Sequence, residues 1–297
     1  MRIEPECLPC LIQRGLREIL KATGDPAKRL KAAIAIVKII AENLSEEATP
    51  SDLGALRERA IKLETGNQDV YAKEKEDSNR TALKILPKLR GELSKLDDEF
   101  SRFRLACAYA TIANSIEFDI PEHDFSPEDI LKLFESGRVE VDDTGEIYRI
   151  IKASKKVALL LDNAGEIVID KLLAEQIKSL GAKLTVVVKN FPIMNDATVA
   201  DVKLISLKEV ADNVLAVDVE CVGFSMSKLP ERIRKELLSS DLIVAKGMAH
   251  YESLTEESVK VPVAYLLVAK CSPVARSLGV KVGNGAIKLV KPRKSWG

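Results

Sequence analysis

Short apolar segments alternate with helical patterns throughout the second half of the chain, and this alternation is the strongest constraint on its fold. Each apolar segment lies between polar residues, which is typical of a buried parallel strand. The predicted strands, in chain order, are 156–161, 184–188, 214–217, 242–245 and 263–268. Strands that alternate with helices predict a parallel sheet that is covered on both faces. We therefore expect a Rossmann-like α/β domain with three αβα layers.

The first half of the chain has the pattern of helices instead. Asp25-Pro26 and Thr49-Pro50 each place a capping side chain directly before a proline, which favours the start of a helix. Apolar residues then recur at helical spacing, and the pattern contains no convincing strand before Lys155. We therefore predict a helical N-terminal region over residues 1–150 and a Rossmann-like α/β domain over residues 151–297.

Charge and composition exclude several classes of protein. The chain has 45 basic and 45 acidic residues, whereas binding of nucleic acid usually requires a strong basic surplus, so no nucleic-acid partner is expected. No apolar run approaches the roughly 18 residues that can span a membrane. No segment of signal-peptide type opens the sequence, so we expect a cytoplasmic protein without a membrane partner. Two histidines are too few for a His-rich zinc site.

Polar side chains follow four of the predicted strands at the points where those strands end. In open α/β sheets ligands bind at the carboxyl ends of the strands, so these residues are the first candidates for a site. The segments are Asp162-Asn163-Ala164-Gly165-Glu166, Asn195-Asp196, Lys246-Gly247 and Lys270-Cys271. Each segment alone is typical of a loop or a helix cap, but the four together favour a functional site.

The residue types at these strand ends indicate a particular chemistry. Aspartate and asparagine oxygens are hard ligands that suit Mg²⁺ or Mn²⁺, and lysine ammonium groups suit phosphate oxygens. A cation together with lysines stabilises the charge on a transferring phosphoryl group. The pattern therefore favours a site at which a metal ion and lysines act on a phosphoryl group.

The ordered set of segments resembles the DUF89 family of metal-dependent damage-control phosphatases. In the second half of the chain the resemblance rests on the Asp162 segment, on Asn190-x-Pro192-x-x-Asn195-Asp196-x-Thr198 and on Lys246-Gly247. In the first half it rests on Asp69-Val70-Tyr71, Lys75, Asn79 and Ala113-Asn114-x-Ile116-Glu117. Cys7-Leu8-Pro9-Cys10 is similar to the CxxC signature of the stand-alone, largely prokaryotic branch of the family.

This resemblance implies a role for the matching residues. One divalent ion (Mg, Mn, Co or Ni) would be held by Asp162, Asn163 and Asp196. Lys270 would bind the phosphate of the substrate, and Lys246 would help it to neutralise the developing charge. The implied substrate is a small phosphorylated metabolite, either a sugar phosphate or a damaged phosphometabolite.

Further residues would border or position the substrate. Gly247 and His250 belong to the loop expected beside it, and His250 stands where relatives in this branch often have an amide. Asn114, Glu166 and Asp201 are candidates for positioning substrate, ion or water. The nucleophile is left open between water and a carboxylate.

Two other functions are compatible with parts of the pattern. A Rossmann-like fold also suits an S-adenosylmethionine-dependent methyltransferase, although no glycine-rich loop follows the first predicted strand. A non-catalytic metabolite- or metal-binding protein could be built around Cys7 and Cys10, a pair that suits packing, redox sensing or soft-metal binding. Phosphate release from a panel of esters, with and without metal, would separate the three. Near the C-terminus, Gly283-Asn284-Gly285 predicts a tight hairpin.

Overall fold

The structure, a computed structural model, describes residues 1–115 and 127–292. Within these residues, seven strands form one sheet in the order β1-β7-β6-β5-β2-β3-β4. The strands are β1 (Val139–Asp142), β2 (Lys156–Leu160), β3 (Lys183–Lys189), β4 (Asn213–Val217), β5 (Leu242–Lys246), β6 (Val263–Val268) and β7 (Gly285–Val290). The five strands β2 to β6 are parallel, β7 is antiparallel to β6, and β1 is parallel to β7.

Helices connect most of the strands and form the first part of the chain. They are α1 (Cys7–Ala22), α2 (Pro26–Asn43), α3 (Pro50–Thr65), α4 (Ala72–Ser94), α5 (Glu99–Ala113), α6 (Pro127–Ser136), α7 (Thr144–Ala153), α8 (Glu166–Ser179), α9 (Val199–Leu204), α10 (Glu231–Leu238), α11 (Gly247–Leu254) and α12 (Ser272–Leu278). The capping predictions are confirmed, since the Asp25 side chain accepts from the first turn of α2 and the Thr49 side chain does so for α3.

The sheet is the middle of three layers. Successive side chains of a strand point to opposite faces, so each central strand supplies two cores. Leu159 and Val186 pack with α4 to α9 on one face, while Leu160 and Val187 pack with α10 to α12 on the other. The predicted three-layer αβα fold is therefore confirmed, and the predicted strands match β2 to β6.

Helices α1, α2 and α3 lie outside these layers and have small cores of their own. One core is formed by Ile19, Ala32, Ile36 and Ile61, and the other by Leu11, Ile40 and Leu53. Helix α3 is joined to the loop that follows β3, because Lys62 Nζ donates to the carbonyl oxygen of Pro192 at 2.7 Å. Helices α1 and α3 thus lie against the carboxyl ends of the strands and α2 packs on both of them, while α4 to α7 belong to one layer of the sandwich.

Two details of the chain differ from the sequence-based predictions. Strand β1 lies before Lys155, where no strand was predicted. Its sequence pattern is weak because this edge strand has only four residues and none of them is fully buried. The predicted hairpin at 283–285 is also wrong. Helix α12 separates β7 from its antiparallel partner β6, so the Gly283 turn connects a helix to a strand. No helix among the described residues has the length and apolarity that a membrane span requires.

Candidate functional site

The loops that follow β2 and β3 are joined by backbone hydrogen bonds. The Ala197 amide donates to the carbonyl oxygen of Asp162 at 2.7 Å, and the Ala164 amide donates to that of Asn195 at 3.0 Å. An isolated β-bridge pairs Asn163 with Asp196. Because β2 and β3 are neighbours in the sheet, their polar ends meet. The three residues predicted as metal ligands therefore lie side by side.

A network of side-chain amides fixes the carboxylate of Asp162. Asn163 Nδ2 donates to Asp162 Oδ2 at 2.8 Å and to Glu166 Oε2 at 3.0 Å. Asn114 Nδ2 donates to the same two oxygens, at 3.0 Å in each case. Asn114 Oδ1 in turn accepts from the Val268 backbone amide at 3.1 Å, at the end of β6. The amides of Asn114 and Asn163 thus bridge the carboxylates of Asp162 and Glu166 and hold Asp162 in place. The side-chain oxygen of Asn163 remains available for another partner.

The entry to α8 is fixed by contacts with α4. Gly165 has a φ of +77°, and a Cβ there would lie 2.8 Å from the Cβ of Ser78, so only glycine fits. The Gly165 amide donates to Asn79 Oδ1 at 2.7 Å, and Asn79 Nδ2 donates to Asp201 Oδ1 at 2.6 Å. Asp201 also closes the capping box of α9 with Thr198. Asp201 is thus buried and fixes the starts of α8 and α9 through Asn79 and Thr198. It lies outside the wall of the cavity described below.

Gly247 brings the end of β5 against Asp162. Its φ is +76°, and a Cβ at this position would overlap the Asp162 carboxylate. Lys246, the residue before it, is fully buried and forms ion pairs with Glu166 and with Asp170, the latter at 2.9 Å. The structure therefore brings Lys246 to the back of the site, where its charge is shared by two carboxylates, and does not place it in the cavity wall.

His250 also lies away from the cavity wall. It is 1% exposed, its Nδ1 is 2.7 Å from the carbonyl oxygen of Lys246, and its ring packs edge-on against Phe224. Burial lowers the pKa of His250 to about 3, so the ring is neutral near pH 7. The position that was expected to contact substrate is therefore enclosed by the core in this structure.

A cavity of about 450 Å³ opens in front of these loops. Its strand-end wall, the part formed by the loops after the strands, includes Asp162, Asn163, Asp196, Met248, Lys270 and Cys271. Its helical wall, the part formed by α1 and α3 with the residue before α1, includes Glu6, Cys7, Cys10, Leu11, Arg14, Gly54 and Arg57. The cysteines are free thiols. The predicted ligands and Lys270 thus face one cavity, and so does the CxxC pair.

The charges at the strand-end wall suit a bound cation. Burial raises the pKa of Asp162 well above its usual value, and the negative charges of Glu166 and Asp196 raise it further. Burial likewise raises the pKa of Asp196, to about 6. The described residues contain no cluster of three His, Cys, Asp or Glu side chains that could hold a metal ion. A cation here would therefore have two carboxylates and the oxygen of Asn163, a set of hard ligands.

Several residues of the site were not singled out from the sequence. Asp170 lies one helical turn after Glu166 and pairs with the same lysine, Lys246. The sequence could have indicated it, because it is a charged residue among the apolar positions of α8. Lys189 lies 3.8 Å from Asp196 and donates to the carbonyl oxygen of Gly223. Glu58 accepts from the Met194 amide at 3.0 Å. Of the residues that carried the resemblance, 116 and 117 lie outside the described part of the chain.

Comparisons with known proteins find similar sequences over nearly the whole chain. The family model of the damage-control phosphatase ARMT1-like domain matches residues 3–285. A damage-control phosphatase of Archaeoglobus fulgidus is 37% identical over 98% of this chain and 100% of its own length. One of Pyrococcus horikoshii is 32% identical over 98% of each chain.

The solved structures include a similar protein as well. The crystal structure of a DUF89 family protein from Pyrococcus horikoshii superposes with a TM-score of 0.86 and 30% identity, covering 97% of this chain and 98% of that one. The match covers the helical part and the sheet alike. The chain therefore belongs to the damage-control phosphatase ARMT1-like family, also called DUF89.

Proposed function

We propose that this protein is a metal-dependent phosphatase that hydrolyses phosphomonoesters of small metabolites. The observation that carries the proposal is the convergence of Asp162, Asn163, Asp196 and Lys270 on one cavity. Two carboxylates and an amide oxygen suit a divalent cation, and the ammonium group suits a phosphate. Membership in a family of damage-control phosphatases supports the same reaction class.

The residues of the strand-end wall would divide the work. Asp162, Asn163 and Asp196 would hold one divalent ion, which would supply positive charge for the phosphoryl oxygens and the nucleophile. Lys270 would bind the phosphate, since it lines the cavity and its charge acts on Asp162. Asn114 would keep Asp162 in position by donating to its carboxylate, and Glu166 would act indirectly by fixing the two amides that donate to Asp162.

The cavity wall would exclude bulk water from the reacting phosphate. Asp162, Asn163 and Asp196 are each less than a tenth exposed although they line the cavity. In such a site the electrostatic effect of Lys270 and of the cation is larger than at an open surface. We infer that the helices α1 and α3 contribute this enclosure.

Phosphate release tests the proposal. Protein stripped of metal with a chelator is incubated with a panel of phosphomonoesters, with Mg²⁺, Mn²⁺, Co²⁺ or Ni²⁺ added in turn. We expect release of inorganic phosphate with at least one ion and none with the chelator alone. Transfer of a methyl group from S-adenosylmethionine, or the absence of phosphate release with every ion and ester, would contradict the proposal.

A further inference from the structure

Arg57 is a buried cation in the helical wall of the cavity. It lies on α3, is 2% exposed and lines the same cavity as Asp196. Its aliphatic stem crosses α1 at Gly15, where a Cβ would lie 2.9 Å from Arg57 Cδ. The guanidinium is thus held at the cavity by the close packing of its stem, unlike the guanidinium of a mobile surface arginine.

The donors of Arg57 are poorly used by the protein. A guanidinium has five N–H donors, but the contacts of this one are long: 3.5 Å to the Leu11 carbonyl oxygen, 3.6 Å to Met194 Sδ and 3.6 Å to Glu18 Oε2. Within the described residues, Arg57 Nε has no partner and almost no accessible surface, so the donors available to a ligand are those of the two terminal nitrogens, whose contacts are the long ones just given. Buried donors without good acceptors are costly, so the arrangement favours an additional acceptor in the cavity.

The charge around Arg57 is also incompletely balanced. Burial and the neighbouring Glu58 raise the pKa of Glu18 to about 9, so Glu18 is neutral near pH 7. Burial opposes ionisation of Glu58 too, but the neighbouring Glu18, the Met194 amide and the cations Lys62 and Arg57 lower its pKa below the usual value. Glu58 also pairs with Lys62 at 3.4 Å. One carboxylate therefore faces two cations, Arg57 and Lys62.

We propose that Arg57 binds a second anionic group of the substrate, distinct from the phosphate that is hydrolysed. This inference rests on the proposed function, which assigns that phosphate to the strand-end wall with Lys270. A substrate held there would extend towards the helical wall, where Arg57 has unused donors. A guanidinium matches the two oxygens of a carboxylate or phosphate in a bidentate pair.

The substrate class follows from this geometry. The cavity volume of about 450 Å³ lies within the range of small-molecule sites and leaves room for more than one phosphate group. Arg14 is a second cation of the helical wall, while Glu6 on that wall and Glu252 elsewhere in the lining are acidic. The lining is therefore not uniformly basic, and Arg57 is the more deeply buried of the two cations on the helical wall. The class is a phosphomonoester that also carries a carboxylate or a second phosphate.

Matched substrates measure this preference directly. Glycerol 3-phosphate and 3-phosphoglycerate are three-carbon phosphomonoesters that differ at one end, where the first has a hydroxymethyl group and the second a carboxylate. Propane-1,3-diol monophosphate and its bisphosphate form the corresponding pair for a second phosphate. Because a hydrogen bond to a charged group is strong, we expect the metal-loaded protein to favour one of the charged members by about tenfold to a hundredfold in kcat/KM.

Variants of Arg57 assign the preference to this residue. Arg57→Met should remove it by lowering kcat/KM for the charged substrate alone, and Arg57→Lys should retain part of it. Glu18→Gln is the matched control, because it alters the same buried cluster at a neutral residue outside the cavity wall, and it should leave the preference unchanged. Thermal unfolding of each variant shows whether it is folded, and Arg57→Lys carries the test if Arg57→Met is not.

Two outcomes overturn the inference. An equal loss for both members of a pair in Arg57→Met would show that Arg57 binds the reacting phosphate, and an unchanged preference would show that it only stabilises the fold. Calorimetric titration of the same compounds gives a readout without turnover. The inference is supported if the wild type binds the charged member of a pair more tightly than the uncharged one and Arg57→Met does not. If this holds but no phosphate is released, only the proposed function fails.

Discussion

Lys246 is the cation of a buried trio with Glu166 and Asp170, and its removal should cost stability. All three side chains are at most 1% exposed, and the Lys246 Nζ to Asp170 Oδ1 distance is 2.9 Å. Removing one partner of a buried ion pair leaves an uncompensated charge, which costs about 3–5 kcal/mol. Lys246→Met should therefore lower the free energy of unfolding by that amount, and the melting temperature by roughly 6–10 °C for a domain of this size.

The loss should increase with pH. Burial raises the pKa of Asp170 to about 7 even beside Lys246, against an ordinary value of 3.8. Without the lysine the pKa of Asp170 would rise further, so the folded protein would keep the Asp170 carboxyl protonated. The unfolded chain loses this proton above about pH 4, so folding would take up one proton. Each such proton lowers the free energy of unfolding by about 1.4 kcal/mol per pH unit. The deficit of Lys246→Met relative to the wild type should thus grow between pH 6 and pH 8.

Urea unfolding followed by circular dichroism measures this deficit. Lys156→Met is the matched control, because Lys156 begins the neighbouring strand β2 and is exposed, and it should change stability by less than about 0.5 kcal/mol. The double variant Lys246→Met with Asp170→Asn should recover part of the loss. If Lys246→Met kept its stability at both pH values and only raised KM for phosphate esters, the lysine would belong to substrate binding and this reasoning would be refuted.

Three further variants test the cavity itself. Gly247→Ala should abolish metal binding in a folded protein, since the added methyl group overlaps the Asp162 carboxylate, and calorimetry measures the binding. Lys270→Ala should raise KM for phosphate esters by about tenfold to a hundredfold while metal affinity is retained, because it removes a charged hydrogen bond. Replacing Cys7 and Cys10 together with serine should keep most of the turnover under reducing conditions, since a cation with oxygen ligands gains nothing from thiolates.

Each of these variants has a result that would count against its assignment. Gly181→Ala, which has a similar positive φ but open space around its Cβ, should keep metal binding and so separates the overlap from backbone strain. Loss of metal with unchanged KM in Lys270→Ala would show that the lysine supports the ion instead of the phosphate. A hundredfold loss of turnover in the folded, metal-loaded cysteine variant would place the thiols in the active site.

The parts of the fold that depend on local patterns were predictable. Strands β2, β3, β5 and β6 are buried on both faces, so each appears in the sequence as a continuous apolar run. Strand β1 lies at the edge of the sheet and alternates between half-buried and exposed residues over a short length, so its pattern is weak. Strand β7 has Lys288 among its apolar residues, which weakens its apolar pattern. It pairs with β6, from which α12 separates it in the chain, so no turn signal between the two strands reveals the pairing.

The site was predictable only in part, for a similar reason. Asp162 and Asp196 each follow an apolar run, so the carboxyl-end rule of parallel sheets brings them to one edge of the sheet. The positions of Lys246 and His250 depend instead on tertiary partners. Asp170 on helix α8 holds the lysine, and Phe224 from a distant loop covers the imidazole. Neither contact leaves a pattern in the residues that surround the strand end.

Metal binding and turnover of Asp196→Asn test most directly the central claim, that this carboxylate holds the ion needed for phosphate release. Asp218→Asn is the control, because Asp218 follows the next strand along the edge, β4, but is exposed and outside the cavity wall. We expect the wild type and Asp218→Asn to bind one divalent ion and release phosphate from monoesters. We expect the folded Asp196→Asn variant to lose both properties. Undiminished ion binding and phosphate release in Asp196→Asn would contradict the account.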